Sequence, residues 1–143
     1  MPNANYTHTI TLYNCLRSSD SPDKREKWYR HIINSCFYKC TLTDIQNGTQ
    51  ITKSSTYTVR VPETSKYRPY CEWKKLSDDE RRQYFTFSTD DIVVYGECME
   101  EIEGTQGKTA AQFMLRNKPD SFKITAVSDN TRNRFARHYR LGG

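Results

Sequence analysis

The chain is short of apolar residues: they make up only 35% of 143 positions, and ten tyrosines are among them. One ordinary domain is expected, with a modest core in which aromatic rings carry much of the burial. No stretch approaches the ~18 consecutive apolar residues of a membrane span. The opening MPNANYTHT lacks the basic start and apolar middle of a secretion signal, so synthesis in the cytosol and no membrane partner are expected. The five cysteines, Cys15, Cys36, Cys40, Cys71 and Cys98, are odd in number and scattered, which argues against a disulfide framework. Cys36 and Cys40 form one close pair, but a structural zinc site usually needs two such pairs, and there is no second. Also missing are H-E-x-x-H, a glycine-rich phosphate loop and G-x-S-x-G. His8, His31 and His138 stand in or beside strand patterns with no local nucleophile signature. The expectation is a structural protein that is not an enzyme, with no catalytic residue, no metal and no cofactor.

What is present is mainly β. Residues 7–13 alternate, with Ile10 and Leu12 on one side and Thr9, Thr11 and Tyr13 on the other. Residues 17–27 are polar and read as a loop. Period two resumes over 28–43, where Ile32, Cys36, Tyr38, Cys40 and Leu42 share a parity, as one long strand or two joined by a bulge. Asn47-Gly48 predicts a hairpin turn. A return strand is clear at Tyr57, Val59 and Val61 and ends at Pro62. Residues 62–82 form a long inserted loop with one helical turn starting at Ser77, ahead of Asp78, Asp79 and Glu80. Residues 84–99 predict a β-hairpin, with Phe85 and Phe87 in one strand and Ile92–Gly96 in the other. Residues 107–118 form the one good amphipathic helix. Strands at Phe122–Ala126 and 135–141 follow, separated by a turn at Asp129-Asn130-Thr131. The fold class is thus a small antiparallel β-barrel or sandwich with one short α-helix. It is a single domain over 1–143, with a flexible arm at 1–6 and a basic segment at 131–143.

Lysine and arginine number 22 against 17 acidic residues, a formal net charge of +5. Glu97, Glu100, Glu101 and Glu103 make an acidic run. Arg132, Arg134, Arg137 and Arg140, interleaved with Phe135 and Tyr139, make a basic one. Three readings of the basic run stand side by side. It is a charged strand edge that resists aggregation, a nucleic-acid stripe, or the complement of the acidic run on a neighbouring identical subunit. Tyr67, Tyr70 and Trp73 in the inserted loop are candidate aromatic anchors for a partner, since interface energy concentrates on such rings.

Several phrases form an ordered set: Ile10–Tyr13 (ITLY), the Trp28–Ile33 segment beginning WYR, Tyr57–Pro62 (YTVRVP), a proline/aromatic stretch ending at Trp73, Tyr84–Glu97 (YFTFSTDDIVVYGE) and Phe122–Thr131 (FKITAVSDNT). This order resembles a family of small proteins encoded in the head–tail gene clusters of tailed bacteriophages of gut Firmicutes. The hairpin resembles the pattern F-T-x-x-x-G-D-x-I-V-x-G-E, with Thr89-Asp90 standing where Gly-Asp is common. The family's final strand often carries a Trp, and Tyr139 lies near that place. The likeness spans roughly residues 9–141. It implies a virion protein of the neck or tail, most like a head-closure (stopper) subunit: a small β-barrel in a homo-oligomeric ring. The implied neighbours are the portal or adaptor ring and the tail terminator, with packaged DNA close by. A tail terminator, an adaptor and a nucleic-acid-binding barrel are alternatives.

Overall fold

A computed structural model describes residues 6–102, 109–117, 120–132, 135 and 137–143. Among these residues seven strands are found: β1 (His8–Leu16), β2 (Lys27–Asn47), β3 (Gln50–Pro62), β4 (Ile92–Tyr95), β5 (Ser121–Lys123), β6 (Ala126–Asp129) and β7 (His138–Gly142). All pair antiparallel, in the order β5-β4-β1-β2-β3-β7-β6. The two outermost strands are separated in the chain only by Ile124 and Thr125. Ile124 exchanges backbone bonds with Asp90 and Asp91 at the head of β4, and the Thr125 amide donates to Gly142 of β7. Run 121–129 is therefore one bent strand whose halves serve opposite ends of the sheet. The sheet rolls into a barrel, and this run is its seam.

The interior holds Ile10, Leu12, Ile33, Cys36, Val59, Val61, Phe85, Phe87, Val93, Phe122, Ile124, Tyr139 and Leu141. The even residues of β1 and the odd residues of β3 and β7 point inward, as period two requires. Strand β2 changes parity half-way. Tyr29, His31 and Ile33 are buried, then Cys36, and the register with β1 slips between His8↔Cys36 and Ile10↔Ile33. Ser35 sits at φ +59° in that bulge, where one extra residue is absorbed. Ile32 therefore faces outward, 37% exposed, in contrast to the shared parity expected for Ile32 and Cys36.

Three departures from the sequence expectation concern the loops. First, residues 84–87 do not form a ladder with β4. Asn14 of β1 takes that place: its carboxamide donates to Thr86 O at 2.6 Å and accepts from Thr86 N at 3.2 Å. Phe85 instead exchanges backbone bonds with Lys66 and Arg68. Second, the positive φ of the next turn falls at Asp90 (+78°). Asp90-Asp91, one residue further on than Thr89-Asp90, is thus the geometric Gly-Asp pair. Third, short helices are more numerous than expected: α1 (Tyr70–Trp73), α2 (Asp78–Gln83) and α3 (Ala110–Arg116). Ser77 caps α2 by accepting from Glu80 N, as its sequence signature predicts. Thr109 and Gln112 form a capping box on α3. Residues 107, 108 and 118 of the expected helix lie outside the described residues, as do 1–5 of the expected arm.

Helix α3 packs Phe113 on the outside of the barrel wall, against Tyr13, Ile92, Val94 and Ile102. A third cluster, Leu16, Tyr29 and Trp73, joins the barrel to α1. Asp90 in a left-handed conformation carries a cost of roughly 1 kcal/mol that glycine avoids. Asp90→Gly is expected to raise stability by up to about 1 kcal/mol, read as a higher urea midpoint at unchanged slope. A lower midpoint contradicts the strain argument.

Candidate assembly surfaces

The aromatic anchors expected on the inserted loop turn inward. Trp73 is fully buried, edge-on to Tyr29 at 5.4 Å between ring centres, and its indole N–H donates to Tyr84 O. Tyr67 stacks on Phe87 and meets Tyr139 at the barrel mouth. The hydroxyl of Tyr70 donates to Asp20, a bond that holds this carboxyl below its ordinary range. Tyr29 likewise donates to Asp78 and accepts from Arg81. Loop 62–82 is thus a latch folded over one end of the barrel. Rings of this kind signal burial without saying against which chain.

The charged runs separate into residues held at home and residues left over. Segment 96–102 crosses the outer face of β1. It is pinned by Thr11 Oγ1, which donates to Gly96 O and accepts from Cys98 N, and by Arg30 Nε, which donates to Cys98 O. Glu100 pairs with Arg116 of α3, with Nε to Oε1 at 3.0 Å. Glu97 and Glu101 are exposed and have no partner among the described residues. On the basic side Arg137 reaches Glu63 at 3.7 Å. Arg132 is exposed, and Arg140 projects outward from β7. Glu103 and Arg134 lie outside the described residues. Phe135 lies ahead of β7 instead of in it and is 76% exposed.

Sequence reasoning missed Arg60. It stands directly across from Arg140 in the β3–β7 ladder, facing outward between the inward Val59 and Val61. Alternation alone marks Arg60 as exposed, but its neighbour depends on a strand pairing between residues 80 positions apart.

The other unforeseen surface is the tip of the β2–β3 hairpin. Strand β1 covers β2 only up to Cys36, and β7 covers β3 only from Thr58 onward. From Thr41↔Thr56 to Asn47↔Gln50 the two strands run on alone as a ribbon of seven pairs, about 20 Å long. Gly48, at φ +68°, takes the first position of its turn. The return strand thus includes the Thr/Ser-rich stretch whose sequence signal is weak. Of the described side chains from Thr41 to Thr56, only Ser54 is less than exposed. Leu42 (74%), Ile45 and Ile51 (66%) stand in solvent. Leu42 and Cys40 belong to the parity expected to be buried. Pairing alone carries them outward, beyond the end of the barrel.

The buried polar groups centre on Asp91. Its carboxylate accepts from Cys15 N (3.0 Å), Asn14 Nδ2 (2.9 Å) and Ser88 N (3.0 Å). Burial nevertheless pushes its carboxyl up to about 7. Beside it lies a cleft of about 430 Å³, with Cys15, Arg17, Glu26, Trp28 and Lys123 in its walls. Burial, and then the nearby Glu26, drive the Cys15 thiol far above its ordinary range, so it stays protonated and a poor nucleophile. Among the three histidines, His8 Nδ1 accepts from Tyr38 N, His138 Nε2 lies 3.3 Å from Asn130 Nδ2, and His31 is buried against Phe85. Among the described residues no three His, Cys, Asp or Glu groups gather as a metal site, and no helix is long and apolar enough to cross a membrane.

A family model matches residues 5–143. The chain belongs to DUF6751, a family of unknown function. No curated protein matches it, and no solved structure does. The DUF6751 match runs through the barrel, the latch and the free ribbon alike, so all three lie within the family's own extent.

Two expectations follow. Trp73→Ala is expected to cost about 3–5 kcal/mol of folding stability, measured by chemical denaturation; a loss of partner binding at unchanged stability contradicts the latch. The second concerns pH. Burial, followed by the Arg30 charge, lowers His31 from 6.5 to about 4, so its contribution to stability is complete above pH 6.5 and is lost as pH falls through 4. Asp91 is raised from 3.8 to about 7, so its contribution is complete below pH 3.8 and is lost as pH rises through 7. Between about pH 4 and 6.5 the two slopes oppose, each about 1.4 kcal/mol per pH unit. The native melting temperature is expected to be nearly level there. That of His31→Leu is expected to rise as pH is lowered through the window; an equally level variant contradicts the assignment.

Proposed function

We propose that this DUF6751 chain is a structural subunit of a homo-oligomeric ring, of the head-closure kind in the neck of a tailed phage, and not an enzyme. The free β2–β3 ribbon carries the reading. A two-stranded ribbon alone is marginal in water. Among the described residues nothing pairs with either of its edges, and residues 41–56 hold no proline and only two charges, Asp44 and Lys53. Exposed edges of that kind are normally blunted by charge or proline, because they pair readily with other chains. The face that holds Val59 and Tyr57 in the barrel runs outward through Cys40 and Leu42 to Ile51, with the Asp44↔Lys53 pair between Leu42 and Ile51. The occupant proposed for it is a second copy of this chain, reached by strand addition and side-chain packing. The barrel supplies a rigid body and the ribbon an arm long enough to cross onto a neighbour. The phage setting rests on the resemblance of the motif order from Ile10 to Thr131.

Changing Leu42→Asp together with Ile51→Asp puts two carboxylates on one ribbon face, in exposed positions where folding cost is within about 0.5 kcal/mol. The native chain is expected to sediment as a closed oligomer and the double variant as a folded monomer with an unchanged melt. A native chain that is monomeric at tens of micromolar, or a variant that assembles normally, overturns the reading.

A further inference from the structure

We infer that the outward pair Arg60 and Arg140 is the receiving surface for Glu97 and Glu101 of the next copy, in a head-to-tail contact that rests on the ring reading above.

Arg60 and Arg140 are directly opposite on adjacent antiparallel strands, so their Cβ atoms are about 5 Å apart and like charges there oppose folding. No acidic group meets either one among the described residues; Arg60 has only the Phe37 ring, 5.4 Å away. Beside Arg140 runs a groove of about 370 Å³ whose walls include the hydroxyl-bearing residues Thr56, Thr58 and Ser128. Two guanidinium forks bordered by hydroxyls are suited to carboxylates, which accept bidentately from arginine. Neighbouring arginines left without an anion are a cost to the single chain, and an external acid relieves it.

The same chain carries such an acid on its opposite flank. Glu97 and Glu101 are carried by the segment that crosses β1, beside β4, and that segment is fixed by the bonds from Thr11 and Arg30. Going round the barrel in either direction, β4 is three strands from β3 and β1 is three strands from β7. The acidic and basic surfaces therefore face away from each other. They cannot neutralise one another within one chain, whereas a heterologous contact between successive copies joins them. Such a contact repeats around a ring, and it leaves the ribbon free to strengthen the same junction.

The test is a charge exchange. Arg60→Glu with Arg140→Glu is expected to weaken self-association at least about tenfold, and Glu97→Lys with Glu101→Lys likewise. Mixing the two variants one to one is expected to restore assembly, because each surface then meets its opposite. Arg140→Thr is expected to weaken association while leaving the isolated chain as stable as before or more so, which a structural role for Arg140 would not produce. Native association is expected to loosen with added salt. The inference is overturned if either reversed variant assembles like the native chain, or if the mixture fails to assemble while circular dichroism shows both variants folded. It is also overturned if the arginine reversal abolishes retention of a DNA oligonucleotide and leaves assembly intact, since the pair then serves phosphates. If only the ribbon variant disrupts assembly, the ring reading stands and this contact falls. If the native chain never associates, both fall.

Discussion

The Asp91 carboxylate, shut away from water, is the joint on which the barrel depends. It accepts one bond from β1, one from the Asn14 side chain and one from Ser88. Asn14 in turn closes two bonds on Thr86. Residues 84–88 have no ladder to β4, so these side chains do what a strand pairing would have done. A charge in such a place is costly unless every lone pair is met. The three donors meet it in part, and burial still raises the proton affinity of the group. From this joint the chain turns into β4, and Ile124 of the seam exchanges backbone bonds with Asp90 and Asp91. Disturbing the joint therefore loosens a β1 contact, the Phe85–Phe87 segment and the closure of the sheet together.

Much of the barrel follows from local rules. Alternation over β1, β3 and β7, the glycine in the β2–β3 turn, the Ser77 cap and the stop at Pro62 each have a short-range physical cause. They are legible because each is settled by residues a few positions apart. The bulge at Ser35 was legible only as an option, since nothing nearby says where the extra residue goes. The supposed strand at 84–87 shows the limit more sharply. Its Phe-Thr-Phe alternation is real and both rings do point inward, but its hydrogen-bond partners are Asn14, Lys66 and Arg68 and not the neighbouring β4.

The same division holds for the surfaces. The acidic and basic runs stand out by composition, but composition does not show that Arg116 and Glu63 already occupy Glu100 and Arg137. It also conceals Arg60, whose meaning comes only from facing Arg140. Among the aromatic residues of the latch, Trp73 is buried within the chain and Tyr67 and Tyr70 are half-buried against its own side chains. A ring that needs cover looks the same in sequence whether its cover is Phe87, Tyr29 or another molecule. The ribbon shows the opposite case, for Leu42 shares the parity of Cys36 and Tyr38 and yet stands in water.

The seam at 121–129 has a consequence for the order of events as the chain is made. β1, β2 and β3 are consecutive and pair with their sequence neighbours, so they can come together early and locally. The far edge of β3 and the outer edge of β4 must wait for β7 and for the bent run, which are synthesised long afterwards. Until then the Val59 and Val61 face has no lid, and a growing chain holds open a sheet whose two margins fit segments that do not yet exist. Closure is thus a late, long-range step, slow by the logic of loop closure. In that interval the same margins are open to strands from other nascent copies. Two molecules made side by side could exchange their closing strands before either barrel is complete.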